Sequence, residues 1–213
     1  MCVTKTLLFI GDSITECGRQ EDVRGIGTGY VNELYKKIVA TDSSWEILNR
    51  GVGGDRITHL EERWERDVLS FNPDVLSISI GVNDVWHQLD WPEQSQVDPP
   101  LFEEVYQRLL QQVNPKTKLI LMEPTIIQEN YNSKGNQMLT HYAAIVRKLA
   151  KQYNAILVPA FSEFMNAIDK GDHGKLTTDG VHMTDEGNQL LAAVWQKAVP
   201  AHVLFDLPLK GTI

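Results

Sequence analysis

Five short apolar runs, separated by stretches with helical periodicity, constrain the fold of this 213-residue chain more than any other feature. Most of the runs are closed by a glycine or proline, which is typical of buried strands. Strands that alternate with helices form a parallel sheet with right-handed crossovers and helices on both faces. The predicted strands are residues 6–10, 45–49, 75–80, 119–122 and 155–158, and the predicted helices are residues 29–39, a helix through Leu60, Trp64 and Val68, and residues 101–113, 136–153, 161–170 and 185–198.

The length allows one α/β domain over residues 1–213, and the composition excludes several classes of protein. A net charge of −8, with scattered Lys and Arg, argues against nucleic-acid binding. Two cysteines, Cys2 and Cys17, are too few for a disulfide framework and favour a reducing compartment. No apolar run reaches the 18 residues of a membrane span, and no signal-type segment opens the chain. We therefore expect a soluble cytoplasmic protein that binds neither nucleic acid nor membrane.

Four polar or glycine-rich stretches follow the carboxyl ends of the predicted strands or precede the last helix: residues 11–13, 51–55, 81–84 and 177–182. Function in parallel α/β sheets gathers at this edge. The sequence also predicts a loop over residues 86–100, with three prolines and two tryptophans, as a lid, a contact surface or a plain surface insertion.

Ser13 lies at a strand-to-helix junction, where unpaired backbone N–H groups favour negative charge. Serine becomes a nucleophile when a base takes its proton, and histidine suits that task near neutral pH. Of six histidines, His182 is the best candidate, because Asp179 three residues earlier can orient its ring. Two alternatives stay open: Ser13 as a helix N-cap, and Asp179 as a turn aspartate beside a capping histidine.

The same edge offers donors for the oxyanion of a tetrahedral intermediate. These are the backbone N–H groups of Ser13 and Gly54 and the side-chain amide of Asn83. The alternatives are a turn glycine at 54 and a loop-capping amide at 83. Nucleophile, base and donors on one sheet edge favour a hydrolytic site.

Three further residues adjoin this predicted site. Trp86 and His87 follow Asn83 closely and are predicted to line the substrate pocket, where an indole face can stack on a sugar ring. The alternatives are core packing for Trp86 and a surface imidazole for His87. Asp12, next to Ser13, is also predicted as a substrate contact. A carboxylate at Asp12 or Asp84, however, more often accepts hydrogen bonds from loop N–H groups. No cluster has the spacing of a zinc site, so we predict no metal and no other cofactor.

The four stretches resemble, in order and spacing, the signature blocks of the GDSL, or SGNH, hydrolase superfamily. They are Gly-Asp-Ser-Ile at 11–14, Asn-Arg-Gly-Val-Gly-Gly-Asp at 49–55, Gly-Val-Asn-Asp at 81–84 and Asp-Gly-Val-His at 179–182. The resemblance implies a three-layer α/β/α sandwich with a flavodoxin-like five-stranded parallel sheet. It also implies that Ser13 is the nucleophile, that Ser13, Gly54 and Asn83 form the oxyanion hole, and that His182 with Asp179 is the base.

A closer similarity, in residues 9–19, 27–31 and 81–86, is to bacterial acetylxylan and xylo-oligosaccharide esterases. It implies a small-molecule ester substrate, an acetylated sugar of the xylose type, and a homo-oligomeric enzyme that forms an acyl-enzyme intermediate. Thr178 departs from that subgroup, in which we expect an aromatic residue before the catalytic aspartate. A lysophospholipase or thioesterase of the same superfamily and a non-catalytic flavodoxin-like binding module remain as alternatives.

Overall fold

A computed structural model describes residues 4–171 and 173–205, so Cys2 lies outside the described residues. All five predicted strands are present and form one parallel sheet in the order β2-β1-β3-β4-β5. The chain moves from β1 to β2 on one side and then to β3 on the other, so a crevice opens beyond the carboxyl ends of β1 and β3. The strands are β1 (Lys5–Gly11), β2 (Trp45–Gly51), β3 (Val75–Ser79), β4 (Lys118–Met122) and β5 (Ile156–Val158).

Helices cover both faces of the sheet, which confirms the predicted α/β fold. Those that follow β1 and β5 pack together on one face, and those that follow β2, β3 and β4 pack together on the other. The described helices are α1 (Ser13–Glu16), α2 (Tyr30–Thr41), α3 (Ile57–Asp67), α4 (Val82–Asp90), α5 (Pro99–Gln112), α6 (Lys134–Gln152), α7 (Ala160–Lys170), α8 (Asp185–Ala198) and α9 (Ala201–Leu204), with a 3₁₀ turn at Leu69–Phe71.

Each face of the sheet has an aromatic centre that fixes how its helices pack. Phe9 of β1 meets Tyr30 of α2 and Trp195 of α8, with ring centroids 6.0 and 5.7 Å apart. On the opposite face, Phe102 of α5 meets Tyr142 of α6 edge-on at 5.0 Å. These rings are fully buried, and edge-to-face pairs add directional stabilisation to the area that they bury. Buried aromatic contacts thus contribute to helix packing on both faces of the sheet.

The predicted loop over residues 86–100 is wrong at both ends. Helix α4 continues to Asp90, because Val82, Val85 and Leu89 repeat at helical spacing and pack inward. Helix α5 already begins at Pro99, since prolines are favoured at the first helical positions and Asp98 accepts the N–H of Leu101. The connection is therefore short, residues 91–98.

Candidate active site

Ser13 opens the single turn of α1, directly beyond the end of β1. The side chain that caps this turn belongs to Asp12, whose Oδ1 accepts the N–H of Ile14 at 3.0 Å. Cys17 ends the turn in the left-handed region, with φ 31°. The alternative that Ser13 is the N-cap is therefore wrong, because Asp12 has that role and leaves the Ser13 hydroxyl to another partner.

That partner is His182. The Oγ of Ser13 lies 2.9 Å from the Nε2 of His182, although the residues are 169 positions apart. On the other side of the ring, Nδ1 lies 2.7 Å from Oδ2 of Asp179. The three side chains therefore form one hydrogen-bonded line from carboxylate to imidazole to hydroxyl, as nucleophilic catalysis by serine requires.

The carboxylate of Asp179 is held in its charged form. Partial burial raises its pKa, but the His182 side chain and the N–H groups of His182 and Val181 outweigh that effect and lower the pKa to about 2. Both N–H groups donate to Oδ1, at 2.9 and 3.0 Å. Oδ2 is therefore directed at the imidazole by the backbone of its own loop.

A glutamate that the sequence does not single out fixes the start of this loop. Glu129 accepts the N–H groups of Leu176 and Thr177, at 3.1 and 2.7 Å, and the hydroxyl of Thr177 at 2.7 Å. Burial raises the pKa of Glu129, but the Thr177 hydroxyl and these N–H groups outweigh that effect and lower it overall. A charged carboxylate therefore anchors the segment that leads to Asp179.

Two further contacts close the loop. The N–H of Gln128 donates to the carbonyl of Gly180 at 2.6 Å, and Thr177 forms a short antiparallel bridge with Met183. No local pattern indicates the role of Glu129 or Gln128, because their contacts form only when the segment after β4 meets the last loop.

The glycine turn after β2 lies against the nucleophile. A Cβ on Gly51 would come within 2.2 Å of the Glu16 backbone nitrogen, so only glycine lets β2 approach α1 this closely. A Cβ on Gly53 would stand 4.0 Å from the Cβ of Ser13. Gly54 is exposed and has φ +79°, a conformation that L-residues rarely adopt. The turn that the sequence predicts as a donor site is thus next to Ser13.

Asn83 approaches from the neighbouring strand. Gly11 of β1 pairs with Ser79 of β3, and Asn83 is the second residue of the helix that follows β3. Its side chain is buried, and Nδ2 donates to Asp55 O at 3.1 Å. The amide therefore joins α4 to the residue that follows Gly54. A primary amide has two N–H groups, and this contact uses one of them.

Two buried carboxyl groups lie behind the site. Burial raises the pKa of Asp12 to about 7, against the lowering effect of the Ile14 N–H. Burial likewise raises the pKa of Asp84 to about 7, although the N–H of Ile57 donates to its Oδ1 at 3.1 Å. Asp12 is only 2% exposed, so we assign it the capping role and correct its placement among the substrate contacts. Both aspartates hold backbone N–H groups.

The two predicted pocket residues have different surroundings. The indole of Trp86 meets the imidazole of His182 edge-on, with centroids 5.8 Å apart, so Trp86 lies at the site. His87 packs on Trp91, with centroids 4.8 Å apart, beside the 91–98 connection. Burial lowers the pKa of His87, and the positive charge of Arg56 lowers it further. A substrate contact by His87 stays a prediction.

Metal-binding clusters and membrane spans are both absent from residues 4–171 and 173–205. Within these ranges, no group of three or more His, Cys, Asp or Glu side chains is arranged to hold a metal ion. In the same part of the chain, no helix combines the length and apolar character needed to cross a membrane.

Known proteins of similar sequence and fold include an acetylxylan esterase and a GDSL-like lipase. The chain is 32% identical over 203 residues to the acetylxylan esterase of Geobacillus stearothermophilus, a match that covers 91% of this chain and 93% of the relative. A crystal structure of that esterase superposes with a TM-score of 0.83 at 30% identity, covering 93% of this chain and 96% of the esterase. A GDSL-like lipase from Parabacteroides merdae gives a TM-score of 0.81 at 33% identity, covering 92% and 95% of the two chains.

Three other solved structures of the Geobacillus esterase are catalytic mutants, in which a serine, an aspartate or a histidine is replaced by alanine. In that protein the aspartate comes three residues before the histidine. Another mutant replaces a tryptophan that directly precedes this aspartate. Residues 9–190 match the model of the GDSL-like lipase/acylhydrolase family. The chain therefore belongs to the GDSL-like lipase/acylhydrolase family and is a carboxylic-ester hydrolase.

Proposed function

We propose that this enzyme hydrolyses acetyl esters of xylose-type sugars through an acyl-enzyme intermediate. The observation that carries the proposal is the line from Asp179 through His182 to Ser13, with successive contacts of 2.7 and 2.9 Å. The substrate class is supported by the acetylxylan esterase that matches along nine-tenths of both chains. Trp86, beside the His182 ring, offers an aromatic wall for a sugar.

In the first half-reaction, Ser13 Oγ attacks the ester carbonyl carbon while His182 Nε2 takes the hydroxyl proton. The carbonyl oxygen becomes an oxyanion, for which the N–H groups of Ser13 and Gly54 and the second N–H of the Asn83 amide are the donors. When the intermediate collapses, the bond to the sugar oxygen breaks. His182 then gives its proton to that oxygen, and the deacetylated sugar leaves.

In the second half-reaction, a water molecule attacks the acyl carbon and gives its proton to His182. Collapse of the second intermediate breaks the bond to Ser13 Oγ, which recovers the proton, and acetate leaves. Asp179 stays ionised throughout and stabilises the imidazolium formed in each half, in accord with its lowered pKa.

The test compares wild type with Ser13→Ala on acetylated xylo-oligosaccharides, measured by acetate release. We expect kcat to fall by about 10⁴-fold or more. Ser43→Ala is the matched control, because Ser43 is an exposed serine outside the site, and it should keep wild-type kcat. Undiminished turnover by Ser13→Ala would contradict the mechanism.

A second measurement addresses the acyl group. Nitrophenyl esters of increasing chain length should be cleaved best when the acyl group is acetyl. A preference for long acyl chains would instead favour the lysophospholipase or thioesterase alternative, and failure of a fluorophosphonate probe to label Ser13 would favour a non-catalytic module.

A further inference from the structure

A buried arginine on α3 contacts the segments that carry the three oxyanion donors. Arg63 is 7% exposed, although the residues around it on the helix include exposed charges. Its Nη2 donates to Gly11 O at 3.1 Å and its Nη1 to Arg50 O at 2.8 Å. These two carbonyls belong to the carboxyl ends of β1 and β2. One guanidinium therefore links the two strand ends that carry Ser13 and the glycine turn.

The same side chain also binds the loop that contains Gly54. Arg63 Nε donates to Asp55 Oδ2 at 2.7 Å, and the Asp55 carbonyl accepts the amide of Asn83. Arg63 Nη1 further contacts Asp67 Oδ2 at 3.0 Å, which supplies a second carboxylate for the buried charge. Gly11 and Asp55 thus both accept hydrogen bonds from Arg63. Ser13 follows Gly11 by two residues, and Gly54 directly precedes Asp55. The third donor, Asn83, is hydrogen-bonded to Asp55.

We propose that Arg63 is a positioning residue that sets the relative placement of the three oxyanion donors. A planar guanidinium presents five N–H groups in fixed directions, so it can bind two carbonyls and a carboxylate from different segments at once. An apolar side chain would fill the same space without fixing these directions. Lysine would keep the charge but has one nitrogen and no planar fork. Donor placement matters because oxyanion stabilisation depends on hydrogen-bond distances of about 2.7–3.1 Å.

The proposal rests on the proposed mechanism, and its test uses the full chain and p-nitrophenyl acetate. Arg63→Lys should lower kcat about 10- to 100-fold, below the loss for removing a whole donor, and leave KM within about threefold. The matched control is Arg66→Lys on the same helix. Arg66 also pairs with Asp67, but its side chain is 74% exposed, so kcat should stay within about twofold of wild type.

A double-mutant cycle separates positioning from general destabilisation. If Arg63 acts through the oxyanion donors, Arg63→Lys should cost much less in an Asn83→Ala background than in wild type. Thermal unfolding is recorded for each variant, and the rates are compared at a temperature at which all the variants are folded. Additive losses in the cycle, or an Arg63→Lys variant with wild-type kcat, would overturn the proposal.

Should Arg63→Lys fail to fold, Asp55→Asn keeps the guanidinium and weakens one anchor, and it should lower kcat about 3- to 10-fold. An unchanged kcat in that variant would also count against positioning. If wild type and Ser13→Ala were equally inactive, the proposed mechanism would fail instead, so the two failures are distinguishable.

Discussion

Asp179 uses its two carboxylate oxygens for different partners: Oδ2 lies 2.7 Å from Nδ1 of His182, and Oδ1 accepts the N–H groups of Val181 and His182. In Asp179→Asn the amide oxygen should stay with the two N–H groups, so the amide NH₂ would face Nδ1. That arrangement selects the imidazole tautomer with a proton on Nε2, which cannot accept the proton of Ser13.

We therefore expect Asp179→Asn to lower kcat by about 10²- to 10⁴-fold while the protein stays folded. Steady-state kinetics and circular dichroism provide the check. Asp185→Asn, at an exposed aspartate in the first turn of α8, is the control and should retain wild-type kcat. Equal activity of Asp179→Asn and wild type would show that the carboxylate is not needed to orient His182.

Asn83 provides a second prediction. Asn83→Ala removes the amide that we propose as an oxyanion donor and should lower kcat by about 10²- to 10³-fold, because a contact to the oxyanion strengthens only as the oxyanion forms. KM should change little. The variant also frees the Asp55 carbonyl, so its thermal unfolding must be measured beside its kinetics. A large rise in KM with normal kcat would place Asn83 in substrate binding rather than transition-state stabilisation.

The buried carboxyl of Asp84 predicts a pH-dependent stability. Its folded pKa of about 7 lies above the usual value near 4, so folding takes up a proton between about pH 4 and pH 7. The stabilisation of the folded state by the Asp84 carboxyl is thus fully present below about pH 4 and is lost as the pH rises through 7. Asp84→Asn cannot ionise and should lose less stability over that range than wild type.

Urea unfolding of wild type and Asp84→Asn at pH 5 and pH 8 measures this effect. The free energy of unfolding of Asp84→Asn minus that of wild type should be more positive at pH 8 than at pH 5, by on the order of 1–3 kcal/mol. Identical shifts for both proteins would mean that Asp84 does not take up a proton on folding.

Trp86 predicts a substrate-dependent effect. Trp86→Ala removes the ring beside His182 and should lower kcat/KM for acetylated xylo-oligosaccharides about tenfold, the factor that corresponds to one lost aromatic contact. Hydrolysis of p-nitrophenyl acetate should fall less. Trp86→Phe retains an aromatic ring and is the matched variant. Equal losses on both substrates would indicate that Trp86 acts on His182 and not on the sugar.

Local patterns predict much of this fold, because strand and turn signals are encoded over a few residues. The five strands and the glycine at position 54 with positive φ follow from such signals. The same patterns do not reveal helix α4, because its apolar spacing is short and is followed by prolines and tryptophan, which favour a loop. The 2.9 Å contact between Ser13 and His182 depends on strand order, which no local window contains.

The burial of Arg63 cannot be predicted from the local sequence for a related reason. A charged residue on a surface helix usually faces solvent, and only the position of α3 against the ends of β1 and β2 buries it. A signal is present, since Arg63 lies beside Leu60 and Trp64 on the apolar side of the helix. A charge within an apolar stripe indicates a buried partner, but the sequence does not identify that partner.

Helix α4 begins after Gly81, with φ +126°, and carries Asn83 and Trp86 one turn apart. The proposed oxyanion donor and the indole beside His182 are thus parts of one helix. A substitution that tilts this helix should therefore change turnover and substrate range together. Variants selected for bulkier esters should therefore arise through side-chain changes at the pocket border more readily than through movement of α4, because movement would displace the amide from the reacting oxygen.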